Sequence, residues 1–208
     1  SMIEGQIRPS EVTDPRIIEA FGQVPRERFV PKALRGVAYL DEDIEIAPGR
    51  YLVEPVVMAR LAQAAEITDI DAVLDVGCAT GYSSAILSKL AGAVVALEQD
   101  KGLIAEATEL LSDLQYDNVI VVENALIEGF EKQAPYDVIF INGMFDVLPK
   151  TLEKQLADNG RLIGVSRVDG VGRAVIYTKI DGVIGRRELF DASVPLLPGF
   201  QTLPRFTF

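Results

Sequence analysis

The segment Asp75-Val76-Gly77-Cys78-Ala79-Thr80-Gly81 sets two glycines four residues apart, straight after an apolar run and before the helix-like Tyr82-Ser83-Ser84-Ala85-Ile86-Leu87. Backbone without side chains lets a ligand come close at such a turn. The dinucleotide pattern G-x-G-x-x-G is not met, because Ala79 stands at its second glycine and Tyr82 at its sixth position; a pyrophosphate clamp, and with it a nicotinamide cofactor, is disfavoured. Glu98 ends the next apolar run, Val94-Val95-Ala96-Leu97, seventeen residues beyond Gly81. A carboxylate at the end of the neighbouring strand can accept hydrogen bonds from both hydroxyls of a ribose. Asn124 follows Val122-Glu123 at the end of the third run, and its amide can donate and accept at an adenine edge.

These positions describe a nucleoside pocket without a phosphate clamp. Loop, acidic strand end and chain order coincide on S-adenosylmethionine as the cofactor, with S-adenosylhomocysteine as its product. The expected cofactor residues are Asp75, Gly77, Cys78, Ala79, Gly81, Tyr82 and Ser83 of the loop, Glu98 with Gln99, Asn124 with Ala125, and Asn142 after the fourth run. Cys78 reads as a small loop residue, since nothing adjacent in sequence would lower its pKa.

The elements that must position these groups follow from periodicity. Asp14-Pro15 opens a short helix, with a capping aspartate and proline at the first helical position. Val24 to Pro31 is bracketed by prolines and predicts a connector with at most a turn of helix. Residues 1 to about 50 are expected to form a lid or flank and no sheet. Val56 to Ala65 favours helix. Apolar runs at Ala72 to Val76, Val94 to Leu97, Val119 to Val122, Val138 to Ile141 and Leu162 to Val165 alternate with amphipathic stretches, which predicts a mostly parallel sheet covered by helices on both faces. Arg173 to Ile180 and Gly185 to Phe190 flank Asp181-Gly182 with no room for a helix, an antiparallel hairpin signal. That order is similar to the class I methyltransferase fold, a Rossmann-like α/β arrangement with a seven-stranded, mostly parallel sheet. The apolar stretch Phe200 to Phe208 is expected to complete the sheet.

With 208 residues, the chain fits one domain: a helical flank over about 1–55 and a cofactor-binding core over about 56–208. Apolar residues make up 49% and charged residues 25%, the balance of a folded globule. The net charge of −11 repels a phosphate backbone, so no nucleic-acid partner is expected. One cysteine and no histidine exclude an internal disulfide, the usual zinc sets and any triad with a histidine base; no metal is expected. No apolar run reaches the roughly 20 residues that span a bilayer, and no secretory signal layout is present. A cytoplasmic protein without membrane contacts, monomeric or a weak homodimer, is the expectation.

Further residues carry a family resemblance. Gln6-Ile7-Arg8, Asp14-Pro15-Arg16, Val24 to Pro31, Ala38-Tyr39 with Asp41, Leu114 to Val119, Ala134 to Ile139 and Leu156 to Ile163 resemble successive landmarks of the protein-L-isoaspartate O-methyltransferase family, over nearly the whole length. The resemblance implies methyl transfer from S-adenosylmethionine to the side-chain carboxylate of isoaspartyl residues in damaged proteins, a protein-repair role. Where the family reads G-x-G-Q-T-I-S-Q-P, this chain reads Ala47-Pro48-Gly49-Arg50-Tyr51-Leu52-Val53-Glu54-Pro55. The serine that the family uses to hold the reacting carboxylate is therefore Val53, which has no hydroxyl, and the threonine is Tyr51. Asn124 stands where the family more often has aspartate, and Asn142-Gly143-Met144 replaces a threonine-alanine segment. Arg50 or Tyr51 can take over carboxylate binding, since a guanidinium engages a carboxylate with two parallel hydrogen bonds; otherwise Arg50 is merely solvated on a loop. The acceptor is a protein or peptide, or a small-molecule carboxylate on a repurposed pocket; a module that binds the cofactor without transfer is the remaining alternative.

Overall fold

The computed structural model describes residues 1–202. Helix α1 (Pro15–Gln23) starts where the sequence caps it: the Asp14 carboxylate accepts from the Arg16 amide at 2.9 Å, and Ile17, Ala20 and Phe21 are buried. A 3-10 turn over Arg26–Phe29 fills the proline-bracketed connector. Residues up to 50 are not free of strand, contrary to expectation. Strand β1 (Ile44–Ala47) pairs antiparallel with β2 (Arg50–Leu52) as a hairpin separate from the main sheet. Its signal was the alternation of buried Ile44 with exposed Glu45 before Pro48-Gly49, where Gly49 takes a positive φ of 70°. Helix α2 (Pro55–Ala64) follows.

Alternate residues of the apolar runs then face opposite sides of one sheet. In β3 (Ala72–Val76), Val73 packs into one core cluster and Leu74 and Val76 into another. The first face is covered by α1, α2, α3 (Tyr82–Ser88) and, after β4 (Ala93–Glu98), α4 (Lys101–Asp113). Strand β5 (Val119–Glu123) precedes β6 (Tyr136–Phe145). The second face is covered by α5 (Lys150–Gln155), a 3-10 turn at Leu126–Glu128, and Leu197 and Phe200 near the C-terminal end.

Strands β7 (Leu156–Val168), β8 (Val171–Ile180) and β9 (Val183–Asp191) complete a seven-stranded sheet in the order β5-β4-β3-β6-β7-β8-β9. The pairs from β5 to β7 are parallel, and β8 and β9 are antiparallel. The Asp181-Gly182 turn has φ of 50° and 77°, as a two-residue hairpin of matching twist requires. The chain runs outward through β3, β4 and β5 and returns to place β6 beside β3. That reversal is the topological switch point, and a ligand crevice is expected outside the carboxyl ends of β3 and β6.

The C-terminal leg lies across that crevice. The Met144 amide donates to Pro195 O at 2.9 Å, the Leu197 amide to Met144 O at 3.0 Å and the Asp146 amide to Phe200 O at 3.1 Å. Of the stretch expected to complete the sheet, Phe200 is buried, and 203–208 lie outside the described residues. Among the described residues, no helix is long and apolar enough to cross a membrane.

Candidate active site

The glycine loop is a sharp turn tied to its neighbours. The Gly77 and Cys78 amides both donate to Leu97 O at 3.0 Å, and the Gly81 amide donates to Cys78 O at 2.8 Å. Gly77, Ala79 and Gly81 have φ of 79°, 52° and 102°, the left-handed region where glycine costs nothing. The Thr80 hydroxyl donates to Phe29 O at 2.6 Å, fastening the loop to the N-terminal flank.

Asp75, fully buried, organises the floor. Its carboxylate accepts from the Ser83 and Ser84 hydroxyls at 2.6 and 2.5 Å and from the Asn142 amide, joining β3, the start of α3 and the end of β6. Burial pushes Asp75 up to about 6, the Ser83, Ser84 and Asn142 hydrogen bonds oppose that rise, and the negative charge of Glu98 adds to it. Cys78 is buried beside these carboxylates. Burial first, then Asp75 and Glu98, drives its thiol well above the ordinary value, so Cys78 is an inert loop residue.

Glu98 is where the structure departs most from expectation. Its fully buried carboxylate already accepts the backbone amides of Ala79 at 3.0 Å, Gln99 at 2.8 Å and Asp100 at 3.0 Å. Arg50 completes it: Nη1 donates to Oε2 at 2.6 Å and Nη2 to Oε1 at 2.5 Å. Arg50 is 6% exposed, so it is not solvated on a loop, and both Glu98 carboxylate oxygens, where ribose hydroxyls were expected, are engaged by a side chain of the protein itself. Burial and planar bidentate geometry make this a strong ion pair.

The remaining expected residues divide. Val53, Tyr51, Gly77, Cys78, Ala79, Ser83 and Asn142 line one narrow cavity of about 10 Å³. Arg50, Tyr51, Val53 and Asn142, with Pro195 to Pro198, line another of about 10 Å³. Asn124 is exposed, and its amide donates to Gly129 O at 2.9 Å within its own loop. Gln99 is exposed, its side-chain carbonyl accepting from the Leu126 amide at 3.1 Å, and Ala125 is exposed as well. Tyr82 lines neither cavity. Its fully buried ring packs edge-on against Phe21 and Phe29 and under the Arg26 guanidinium, 4.8 Å from the ring centroid, so its side chain serves the N-terminal core.

Arg26 is a site residue that sequence reading missed. Fully buried, it donates from Nε to Ala38 O at 2.7 Å and from Nη2 to Val53 O at 3.1 Å, holding the backbone of the acceptor segment. Only its place between Pro25 and Phe29 hinted at this. A second missed group is Glu54, pushed up to about 7 by burial and by Asp43 and Asp41; the latter two accept the Glu54 and Val56 amides at 2.9 and 3.0 Å.

With this geometry in place, the family model described as protein-L-isoaspartate(D-aspartate) O-methyltransferase matches residues 1–188. The chain belongs to this family. A protein-L-isoaspartate O-methyltransferase of Protochlamydia amoebophila is 41% identical over 162 residues, 78% of this chain and 77% of its own. Another, from Anaeromyxobacter sp., is 37% identical over 95% of this chain and 81% of its own. A solved protein-L-isoaspartate O-methyltransferase aligns with TM-score 0.80 at 25% identity, covering 92% of this chain; the chain spans 63% of that longer one. A Plasmodium falciparum structure whose name carries the same activity, in complex with S-adenosyl-L-homocysteine, aligns with TM-score 0.81 at 22% identity over 94% of this chain and 96% of its own. The latter likeness speaks to the fold, which is that of a class I methyltransferase.

Does this member's crevice suit an adenosyl sulfonium group? The donor set does: a glycine turn at the switch point, a strand-end carboxylate for hydroxyls, and buried negative charge at Asp75 and Glu98 that favours a sulfonium cation. The space does so only conditionally. The cavities hold only about 10 Å³ each, far below the roughly 300–1,000 Å³ of small-molecule pockets, and a Cβ on Gly77 would meet Leu197 Cδ1 at 2.9 Å and Arg50 Nη2 at 3.5 Å. Arg50 and Leu197 are the side chains that must yield.

Proposed function

We propose that this protein is an S-adenosylmethionine-dependent O-methyltransferase acting on the side-chain carboxylate of isoaspartyl residues in proteins. The family match over residues 1–188 carries this reading. The bound cofactor supplies an electrophilic sulfonium methyl. A carboxylate acceptor is ionised at neutral pH, so the chain's work is orientation and exclusion of water more than proton removal. Asp75, Gly77, Ala79, Ser83, Glu98 and Asn142 are the groups suited to the cofactor side, while Arg50, Tyr51 and Val53 form the acceptor wall. We take the 208 residues as one domain with its flank over about 1–55. A role in protein repair, a cytoplasmic setting, a monomer or weak homodimer and no nucleic-acid partner belong to the same reading, the last supported by the net charge of −11.

A second reading has its own observation. Val53, 5% exposed, stands in a closely packed apolar wall with Met58, Leu61, Phe140, Val165 and Val194, a surface better suited to an apolar group than to a carboxylate. Transfer of radiolabelled methyl from S-adenosylmethionine to an isoaspartyl peptide, run beside Val53→Ser, separates the two. Transfer by the parent protein supports the first reading. Transfer by Val53→Ser alone means that the scaffold is intact and the native acceptor differs. Transfer by neither sinks the isoaspartyl assignment.

A further inference from the structure

The Arg50–Glu98 pair sets a competition inside the crevice. The carboxylate that would accept ribose hydroxyls holds a guanidinium on both oxygens at 2.5 and 2.6 Å. Among the described residues lining the two cavities beside it, Arg50 is the one cation, and the buried acids Asp75 and Glu98 would repel an acceptor carboxylate. Arg50 also stands where it can move. It opens β2 directly after the exposed Gly49, in a two-stranded hairpin with a register shift between Glu45 and Ala47 and no pairing to the main sheet. Ile44 and Leu52 anchor the hairpin in the core, but its strands pair only with each other, so a movement at Arg50 need not break the ladder that holds Asp75 and Glu98.

Resting on the functional reading above, we propose that Arg50 exchanges partners: it neutralises Glu98 until the cofactor binds, yields both oxygens to the cofactor's ribose hydroxyls, and then clamps the acceptor carboxylate. Freed without an anion, a buried guanidinium is costly. The acceptor carboxylate is what relieves it, so cofactor and acceptor bind with positive coupling and the cofactor binds first. The same guanidinium thereby replaces, by charge, the hydroxyl that Val53 does not have. By linkage, the acceptor tightens the cofactor by the factor with which the cofactor tightens the acceptor.

Calorimetry with S-adenosylhomocysteine and an isoaspartyl peptide tests this on the parent, Arg50→Gln and Arg50→Ala, with folding checked by circular dichroism. Gln keeps polar bulk without the charge should Ala disturb the fold. A pair closed nine-tenths of the time weakens apparent cofactor affinity about tenfold, so both variants should bind S-adenosylhomocysteine about tenfold tighter than the parent. The parent should bind peptide only with S-adenosylhomocysteine present, and the variants should lose that response. Equal S-adenosylhomocysteine affinity in all three, or peptide binding to the parent without it, overturns the exchange and leaves the functional reading standing. Failure of all three proteins to bind S-adenosylhomocysteine overturns the functional reading, and the exchange with it.

Discussion

Replacing Asp75 by Asn removes a charge that the fold carries at a cost. The carboxylate is fully buried, and burial lifts it from 3.8 to about 6 in spite of three hydrogen bonds. A rise of about two units corresponds to roughly 3 kcal/mol in favour of the protonated folded form. Because the folded value lies above the unfolded one, this contribution is complete below about pH 4 and is lost as pH rises through about 6. Asn keeps the shape: its carbonyl can accept from Asn142 while the Ser83 and Ser84 hydroxyls rotate to accept from its NH₂. Urea unfolding at a series of pH values should therefore show the stability difference between Asp75→Asn and the parent moving by roughly 3 kcal/mol toward the variant from about pH 4 to about pH 7.5. The slope with urea should be unchanged, marking an unaltered denatured state. A difference that stays flat with pH would refute the reasoning, since the buried carboxylate would then not be the titrating group.

Arg26→Ala orphans two carbonyls and the Tyr82 ring; with relief of guanidinium burial set against those losses, about 2–3 kcal/mol should go, lowering the melting temperature by roughly 5–10 °C. The exposed Arg28→Ala should stay within about 0.5 kcal/mol, and equal effects in calorimetric scans would contradict the bracing role. Glu54, lifted to about 7 mainly by burial, gives stability that is lost as pH rises through that value. Thermal denaturation should therefore show Glu54→Gln gaining on the parent between about pH 6 and about pH 8, and an identical difference at both would count against it.

Local chemistry explains what could be read in advance. Asp14-Pro15 begins α1, Asp181-Gly182 turns the last hairpin, and Ala72 to Val76 is a strand, because each is decided by neighbours in sequence. The glycine loop, Glu98 and Asn142 were placed at the switch point by the order of strands alone. Long-range pairing was not legible. Nothing in the residues around Arg26 and Arg28 says that the first is buried and the second exposed. Arg50 and Glu98 are 48 residues apart, and only the folded hairpin shows that they meet. The bond from Asn124 to the nearby Gly129 carbonyl was not legible either, because a side-chain amide has many possible partners.

The seam between β3 and β6 has a consequence for the order in which the molecule folds. Val73 pairs with Val94, 21 residues on, but with Val138, 65 residues on. Closing the longer loop costs about 1 kcal/mol more in chain entropy, so the outward run from β3 to β5 can zip before β6 returns. The clasp from Asn142 to Asp75 and the Met144 bonds to the C-terminal leg exist only after that return. The crevice is therefore complete only once β6 has returned, and any state with β3, β4 and β5 alone in place lacks its Asn142 side.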